Sequence, residues 1–308
     1  MKVFITGGTG FIGSKVIKEI ISDGEGKYEI YALSRSENST EKLKALGVTD
    51  VYVGELTDTD VIKKAASDCD VTIHCAFIHN FPTYALSCEI DRNATRAIGD
   101  ALAGTNKLFI ATCITMGLVV DKDGGIADET TAMDGHLFRN EAQEIALSYA
   151  KKGVNVVLLR LPPSVHGPGD LAFIPMLAGM AKKNGFSGYI GDGTTKWPAV
   201  HVQDAVALYK KIIENPPKSE GKGTVAHAVQ EEGLTAKELA ESIGETLNLP
   251  VKSVSPEDAN KYFTVLDTQW ERDNYVSSEI TKKLFDWTPT EATLLEDIKL
   301  PNYLSPYL

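Results

Sequence analysis

Apolar positions along this chain follow two periods. Short, nearly unbroken apolar runs occur at Val3-Phe4-Ile5, Tyr28 to Arg35, Val51-Tyr52-Val53, Val71 to Phe77, Lys107 to Cys113 and Asn155 to Leu161. Runs of this kind suit strands buried on both faces of a sheet. Between them the spacing changes to three and four: Val16, Ile17, Ile20 and Ile21 share one face, and Asp58 to Ser67, Tyr84 to Ala103 and Ala142 to Lys152 read as further helices. Six strands alternating with helices at this rhythm predict an α/β fold of the Rossmann type, a doubly wound parallel sheet with right-handed crossovers.

The pattern changes after Leu161. Pro162-Pro163-Ser164-Val165-His166-Gly167-Pro168-Gly169-Asp170 reads as a rigid turn segment, and helices are expected over Phe173 to Lys183 and Val202 to Glu214. Pro216, Pro217, Gly221 and Gly223 mark a linker, before a short strand from Thr224 to Val229 and a helix opened by the capping box Thr235-Ala-Lys-Glu238. The expected division is a Rossmann domain over 1–162 and a smaller C-terminal α/β lobe over 163–308, some segments of which return to the first core. Asp121 to Asp134, rich in Gly, Asp and Thr, reads as a surface excursion.

With 308 residues, 43% of them hydrophobic, the chain can bury a full α/β core and a small second lobe. Its 31 basic and 42 acidic side chains give a formal charge of −11, so it has no surplus of Lys or Arg to neutralise nucleic-acid phosphates. Cys69, Cys75, Cys88 and Cys113 have neither metal-knuckle spacing nor the density of a disulfide scaffold, and they read as reduced, mostly buried thiols. No metal site is expected. No apolar run approaches the length of about 18 residues that a bilayer requires, and no leader is read ahead of the first strand, so a cytoplasmic protein, monomer or homodimer, is the expectation.

Chemistry enters at Thr6-Gly7-Gly8-Thr9-Gly10-Phe11-Ile12-Gly13, where a strand turns into a helix. Glycine permits the tight turn, lets backbone approach a pyrophosphate without a Cβ in the way, and allows the helix to pack close to its strand. Free N–H groups at the helix start then face the phosphates, so Gly7, Thr9, Gly10, Phe11, Ile12 and Gly13 are candidate dinucleotide contacts. The second strand ends in Ser34, Arg35 and Ser36 where a carboxylate often holds the ribose diol; an arginine between serines suits a 2′-phosphate. NADP(H) is therefore favoured, with NAD(H) still open. Cys75, Ala76 and Phe77 end the fourth strand at the edge where open α/β sheets place ligands, and Thr112 lies near the end of the fifth.

The TGGTGFIG turn, with glycines at 7, 10 and 13, resembles the fingerprint of extended and atypical short-chain dehydrogenases/reductases. The segments RLPPSVHGPGD from Arg160 and GYIGDGTTKWPAVH from Gly188 look like an atypical subgroup in fungi and bacteria that includes aldehyde and carbonyl reductases, and the likeness covers nearly the whole chain. By that resemblance, Glu55, Leu56 and Asp58 flank the adenine, and Leu161, Pro162, Pro163 and Ser164 belong to the segment that closes over the nicotinamide. The implied activity is NAD(P)H-dependent reduction of an aldehyde or ketone. A dinucleotide-binding sensor with reduced catalysis is the alternative, and a nucleotide-sugar epimerase or dehydratase the third.

The family's catalytic Tyr with Lys four residues later has no counterpart between residues 130 and 150. Anchoring the helix on Glu144 to Tyr149 puts His136 at the tyrosine position and Asn140 at the lysine position, with Arg139 beside it. Tyr84 opens a different helix. Two accounts follow: His136 supplies the proton, or hydroxyls at Thr112 or Thr115 orient the carbonyl while water or the ribose supplies it. Phe77, His79, Phe81, Met116, Ser164, His166 and Trp197 are the candidate substrate wall, and their aromatic character predicts a small or medium, largely apolar carbonyl substrate.

Overall fold

A computed structural model describes residues 1–22, 26–118, 125–134, 137–218, 220–264, 270, 272–300 and 302–305. The first half alternates as the apolar pattern requires. β1 (Lys2–Thr6), α1 (Phe11–Ile21), β2 (Glu29–Ser34), α2 (Glu37–Ala45) and β3 (Asp50–Val53) lead outward from the middle of the sheet. The chain then returns through α3 (Thr59–Asp68) to β4 (Val71–His74), and continues through α4 (Tyr84–Leu102), β5 (Leu108–Ile114), α5 (Asn140–Ser148) and β6 (Asn155–Leu161).

The second half brings β7 (Ser164–His166), α6 (Phe173–Asn184), β8 (Ser187–Ile190), β9 (Lys196–His201), α7 (Val202–Glu214) and β10 (Thr224–His227). After these come β11 (Glu231–Thr235), α8 (Ala236–Leu247), β12 (Val251–Val254) and α9 (Ala259–Phe263), then short helices at Glu279–Phe285 and Leu294–Ile298.

The main sheet has seven parallel strands in the order β10-β6-β5-β4-β1-β2-β3. Six were expected in the core. The seventh, β10, follows the linker and pairs with β6 from Thr224 opposite Val157 to His227 opposite Arg160. Successive side chains of a strand face opposite sides, which divides the core in two. Ile5, Ile73 and Ile110 meet Val16, Ile17 and Ile20 of α1 and Val206 and Ile213 of α7 on one face. Phe4, Phe109 and Val156 meet Ile62, Ala94, Ile98 and Ala146 of α3, α4 and α5 on the other. Each fully buried side chain such as Phe4 or Ile17 contributes about 1.5–3 kcal/mol. The segment from Val202 to His227 therefore belongs with this sheet.

A second core, centred on Trp197, Phe263 and Trp270, lies beneath the three-stranded sheet β11-β9-β7 and the parallel pair β12-β8. Here Thr235 and Glu238 form the expected capping box at the start of α8. Among the described residues, no helix is long and apolar enough to cross a membrane.

Candidate functional site

The chain moves outward from β1 and then jumps back to β4, so β1 and β4 are neighbours whose following loops diverge. Such a crevice at the carboxyl edge is where open α/β sheets bind ligands. Thr6 stands opposite His74 in the register, which puts the glycine turn and the Cys75-Ala76-Phe77 segment side by side.

The three glycines have three separate reasons. Gly7 has φ 75°, and a Cβ there would lie 2.8 Å from the Ala76 nitrogen. At Gly13 a Cβ would come within 2.3 Å of the Gly7 carbonyl oxygen, so this glycine lets α1 pack against the turn. Gly10 is exposed, donates its N–H to Gly7 O at 2.9 Å, and a Cβ on it would have one near neighbour, that same oxygen at 3.2 Å. Gly10 therefore leaves its side-chain space open, as the close approach of a pyrophosphate would require. It is also the N-cap of α1 and offers no side-chain cap, so the first-turn N–H groups face that space, with Thr9 exposed and Phe11 and Ile12 half-buried beside it. These features fit a bound dinucleotide.

A buried polar chain fixes the two loops relative to each other. Asp91 of α4 accepts from His74 Nε2 at 3.1 Å, which sets the tautomer, and His74 Nδ1 then accepts the Thr6 hydroxyl at 2.7 Å. The Thr6 oxygen in turn accepts the Ala76 N–H at 3.3 Å. Both imidazole nitrogens and the Thr6 hydroxyl are used in this run, as burial demands. His74 therefore serves as a hydrogen-bonded strand residue that links β1, β4 and α4.

At the end of β2, Ser34 is buried and its hydroxyl donates to Ser36 O at 3.1 Å and meets Thr40 Oγ1 at 2.8 Å. Ser36 caps α2, accepting the Ser39 N–H. Arg35 between them is exposed and has no partner among the described residues. Glu55 is exposed and Leu56 half-buried after β3, where the Glu55 N–H donates to Asp58 Oδ2 at 2.7 Å.

Thr112, half-buried near the end of β5, touches Tyr209 of α7 (O to O 2.6 Å) and Cys75 Sγ (3.3 Å). Cys75 Sγ also lies 3.7 Å from the Tyr209 hydroxyl, and burial pushes both its thiol and the Tyr209 phenol above their ordinary pKa, so both stay protonated. Tyr209 is invisible as a site residue in the sequence because it falls on the apolar face of an amphipathic helix.

Other candidates have protein partners. Thr115 is fully buried and accepts from Asn274 Nδ2 at 3.3 Å. Asn140 is buried at the start of α5, where its Nδ2 donates to Asp134 O at 2.8 Å; before it, Ala127 and Glu129 are buried, so that part of the expected surface excursion packs inward. Trp197 is 1% exposed and donates Nε1–H to the buried Ser164 Oγ at 2.7 Å. Met116 packs in the same second core. His166 is fully buried, with Nδ1 2.6 Å from Asp297 Oδ2, and ties the helix Leu294–Ile298 to β7. These side chains hold the second lobe together instead of lining an open wall. Leu161 and Pro162 are buried and Pro163 half-buried where β6 leaves the sheet.

Phe77 and His79 do stand at the edge, with rings 5.0 Å apart. The Arg139 guanidinium lies over the Phe77 ring at 3.5 Å, and the Tyr84 ring meets Phe77 at 5.9 Å. Arg139 stands at the N-cap of α5 and Tyr84 opens α4, so two residues outside the candidate set meet on Phe77 at the carboxyl edge. Their one sequence signal is the Arg139 position beside the missing dyad. His136 and the side chain of Phe81 lie outside the described residues.

Residues 3–226 match the family described as NAD dependent epimerase/dehydratase. The chain belongs to that family. An uncharacterized protein of Saccharomyces cerevisiae is 43% identical over 307 residues, covering 98% of this chain and 99% of its own. A 4-hydroxy-2-methyl-3-oxo-4-farnesyl-3,4-dihydroquinoline-1-oxide ketoreductase of Stigmatella aurantiaca is 26% identical over 58% of this chain and 54% of its own. Among solved structures, a dTDP-glucose 4,6-dehydratase from Bacillus anthracis in complex with NAD superimposes with TM-score 0.76 at 18% identity, covering 100% of this chain and 96% of that one. Family membership makes this an oxidoreductase-type fold with a nicotinamide dinucleotide site.

Proposed function

We propose that the protein reduces aldehydes or ketones to alcohols, taking NADPH in preference to NADH and acting on a small or medium, largely apolar carbonyl compound. The observation that carries this reading is the hydroxyl chain ending at Thr112. Cys75 S–H donates to the Tyr209 oxygen. If Tyr209 O–H donates to Thr112, the Thr112 hydroxyl keeps its own proton for a carbonyl oxygen at the open edge. A nicotinamide dinucleotide, when bound, supplies a hydride to the carbonyl carbon and is itself oxidised. Thr112 polarises the carbonyl as its π bond breaks, and the oxygen takes its proton from water, since no Tyr-Lys dyad stands near it in sequence. The ketoreductase among the relatives supports the reaction class, and Arg35 supports NADPH.

The test follows NADPH absorbance with purified protein and a panel of aldehydes and ketones. Thr112→Val should lower kcat by about 10²-fold, the usual loss when one donor to a developing oxyanion is removed, and Thr112→Ser should restore most of it. Thr115→Val, remote and fully buried, should lower thermal stability instead. If NADPH binds tightly and no carbonyl is turned over, the dinucleotide-binding sensor replaces the reductase.

A further inference from the structure

Arg139 is half-buried, yet among the described residues no carboxylate pairs with it. The nearby acids are occupied: Glu141 is 3.4 Å from Arg92 Nε, and Asp91 is bound by His74. Removing a guanidinium from water without an anion is costly, and stacking on an aromatic face recovers only part of that cost. Phe77 provides the face at 3.5 Å, and Tyr84 packs on the same ring from α4 at 5.9 Å. Phe77 follows β4 and Arg139 caps the helix that follows β5, so the guanidinium stands at the edge between these two strands. Ile78, Leu86 and Phe138, each within two residues of Phe77, Tyr84 or Arg139 along the chain, expose apolar side chains.

We infer that Arg139 is a carboxylate-binding position and that the substrate class is an oxo acid, an apolar aldehyde or ketone carrying a carboxylate. This deepens the reductase reading and rests on it for the carbonyl. A planar guanidinium held by Phe77 presents two N–H groups in the plane of a carboxylate, while the exposed apolar residues receive the rest of the molecule.

Phenylglyoxylate and its methyl ester differ in the charge at issue, and both are used as probes. Their binding to the protein with NADP⁺ present, where no turnover occurs, is measured by calorimetry, and their reduction by NADPH is followed separately. The parent protein should prefer the acid over the ester by roughly ten- to hundredfold, the range expected for charge-assisted hydrogen bonds. Arg139→Met should erase that ratio, and Arg139→Lys should recover only part of it, with thermal melting of each variant as the check on folding. A parent protein that binds acid and ester alike overturns the proposal without any variant being needed, as does a ratio that survives in Arg139→Met. If ester and benzaldehyde are reduced without an acid preference, the reductase stands and the carboxylate site falls. If the acid binds through Arg139 and no carbonyl is reduced, the carboxylate site stands and the reductase falls.

Discussion

The glycine turn after β1 and the group around Ser164, His166 and Trp197 use equally suggestive residues in opposite ways. In the turn, Gly7 and Gly13 remove atoms that would strike Ala76 and the turn itself, and Gly10 leaves its space empty. In the second lobe, Trp197 Nε1 donates to Ser164 and His166 Nδ1 meets Asp297, so these polar atoms are consumed by the fold. Backbone demand is therefore a firmer guide to a site than side-chain chemistry. A glycine required by geometry has few alternative explanations, whereas a polar side chain satisfies a neighbour as readily as a ligand.

The largest effect should separate two glycines of the same motif. Gly13→Val drives its Cβ against the Gly7 carbonyl, where a contact of 2.3 Å cannot be relaxed without moving the turn, so it should lower the melting temperature and abolish cofactor binding together. Gly10→Val should fold with a melting temperature close to the parent's and lose only the added stabilisation from saturating NADPH, about 3–4 kcal/mol at 100–1,000 times Kd. Equal unfolding of both variants, or a full NADPH shift in Gly10→Val, would show that the open space at Gly10 is not the pyrophosphate site.

Next in size is a pH effect on the polar groups the fold has consumed. His227 in β10 is fully buried; Nδ1–H donates to Ser277 O at 2.8 Å and Nε2 accepts from Arg160 Nη1 at 3.3 Å. Burial, with Arg160 adding to it, lowers its pKa from 6.5 to about 4. The unfolded chain therefore binds the proton first on acidification, and stability that is complete above pH 6.5 is lost as pH falls toward 4, by about 3 kcal/mol in total. Asp170 and Glu231, whose carboxyls burial pushes up, bind protons more readily in the folded state and offset part of the loss at the acid end. Thermal melting from pH 7 to 4 should fall steeply in the parent and more gently in His227→Gln. Superimposable slopes would break the assignment.

What was legible in the sequence follows the same division. The apolar runs placed β1, β2 and β4 to β6 because strands buried on both faces leave little choice of residue. β10 was seen as a strand but not as the seventh of the main sheet: Thr224 to His227 is short, and its partner β6 lies more than sixty residues earlier. At the site, the turn was readable from spacing, while Tyr209 was hidden in an amphipathic face. Arg139 and Tyr84 come together only because α4 and α5 both begin at the carboxyl edge, a meeting that no local pattern encodes.

The smallest effect concerns Arg35, a side chain in the first region that behaves unlike those of the second. Its neighbours Ser34 and Ser36 are both engaged, one with Thr40 and one as the cap of α2, yet Arg35 is exposed with no partner among the described residues. An exposed arginine contributes little to stability, so Arg35→Ala should leave the melting temperature of the unliganded protein nearly unchanged. A 2′-phosphate would be held by paired charge-assisted hydrogen bonds, which NADH cannot form. The substitution should then weaken NADPH by roughly ten- to hundredfold and NADH hardly at all, measured as dissociation constants by nicotinamide fluorescence. Raising the salt concentration should weaken NADPH binding in the parent more than in the variant, because an exposed ion pair is screened. Equal losses for both cofactors, or a parent that prefers NADH, would make Arg35 a solvated surface residue and leave the glycine turn as the site's one ligand feature legible in the sequence.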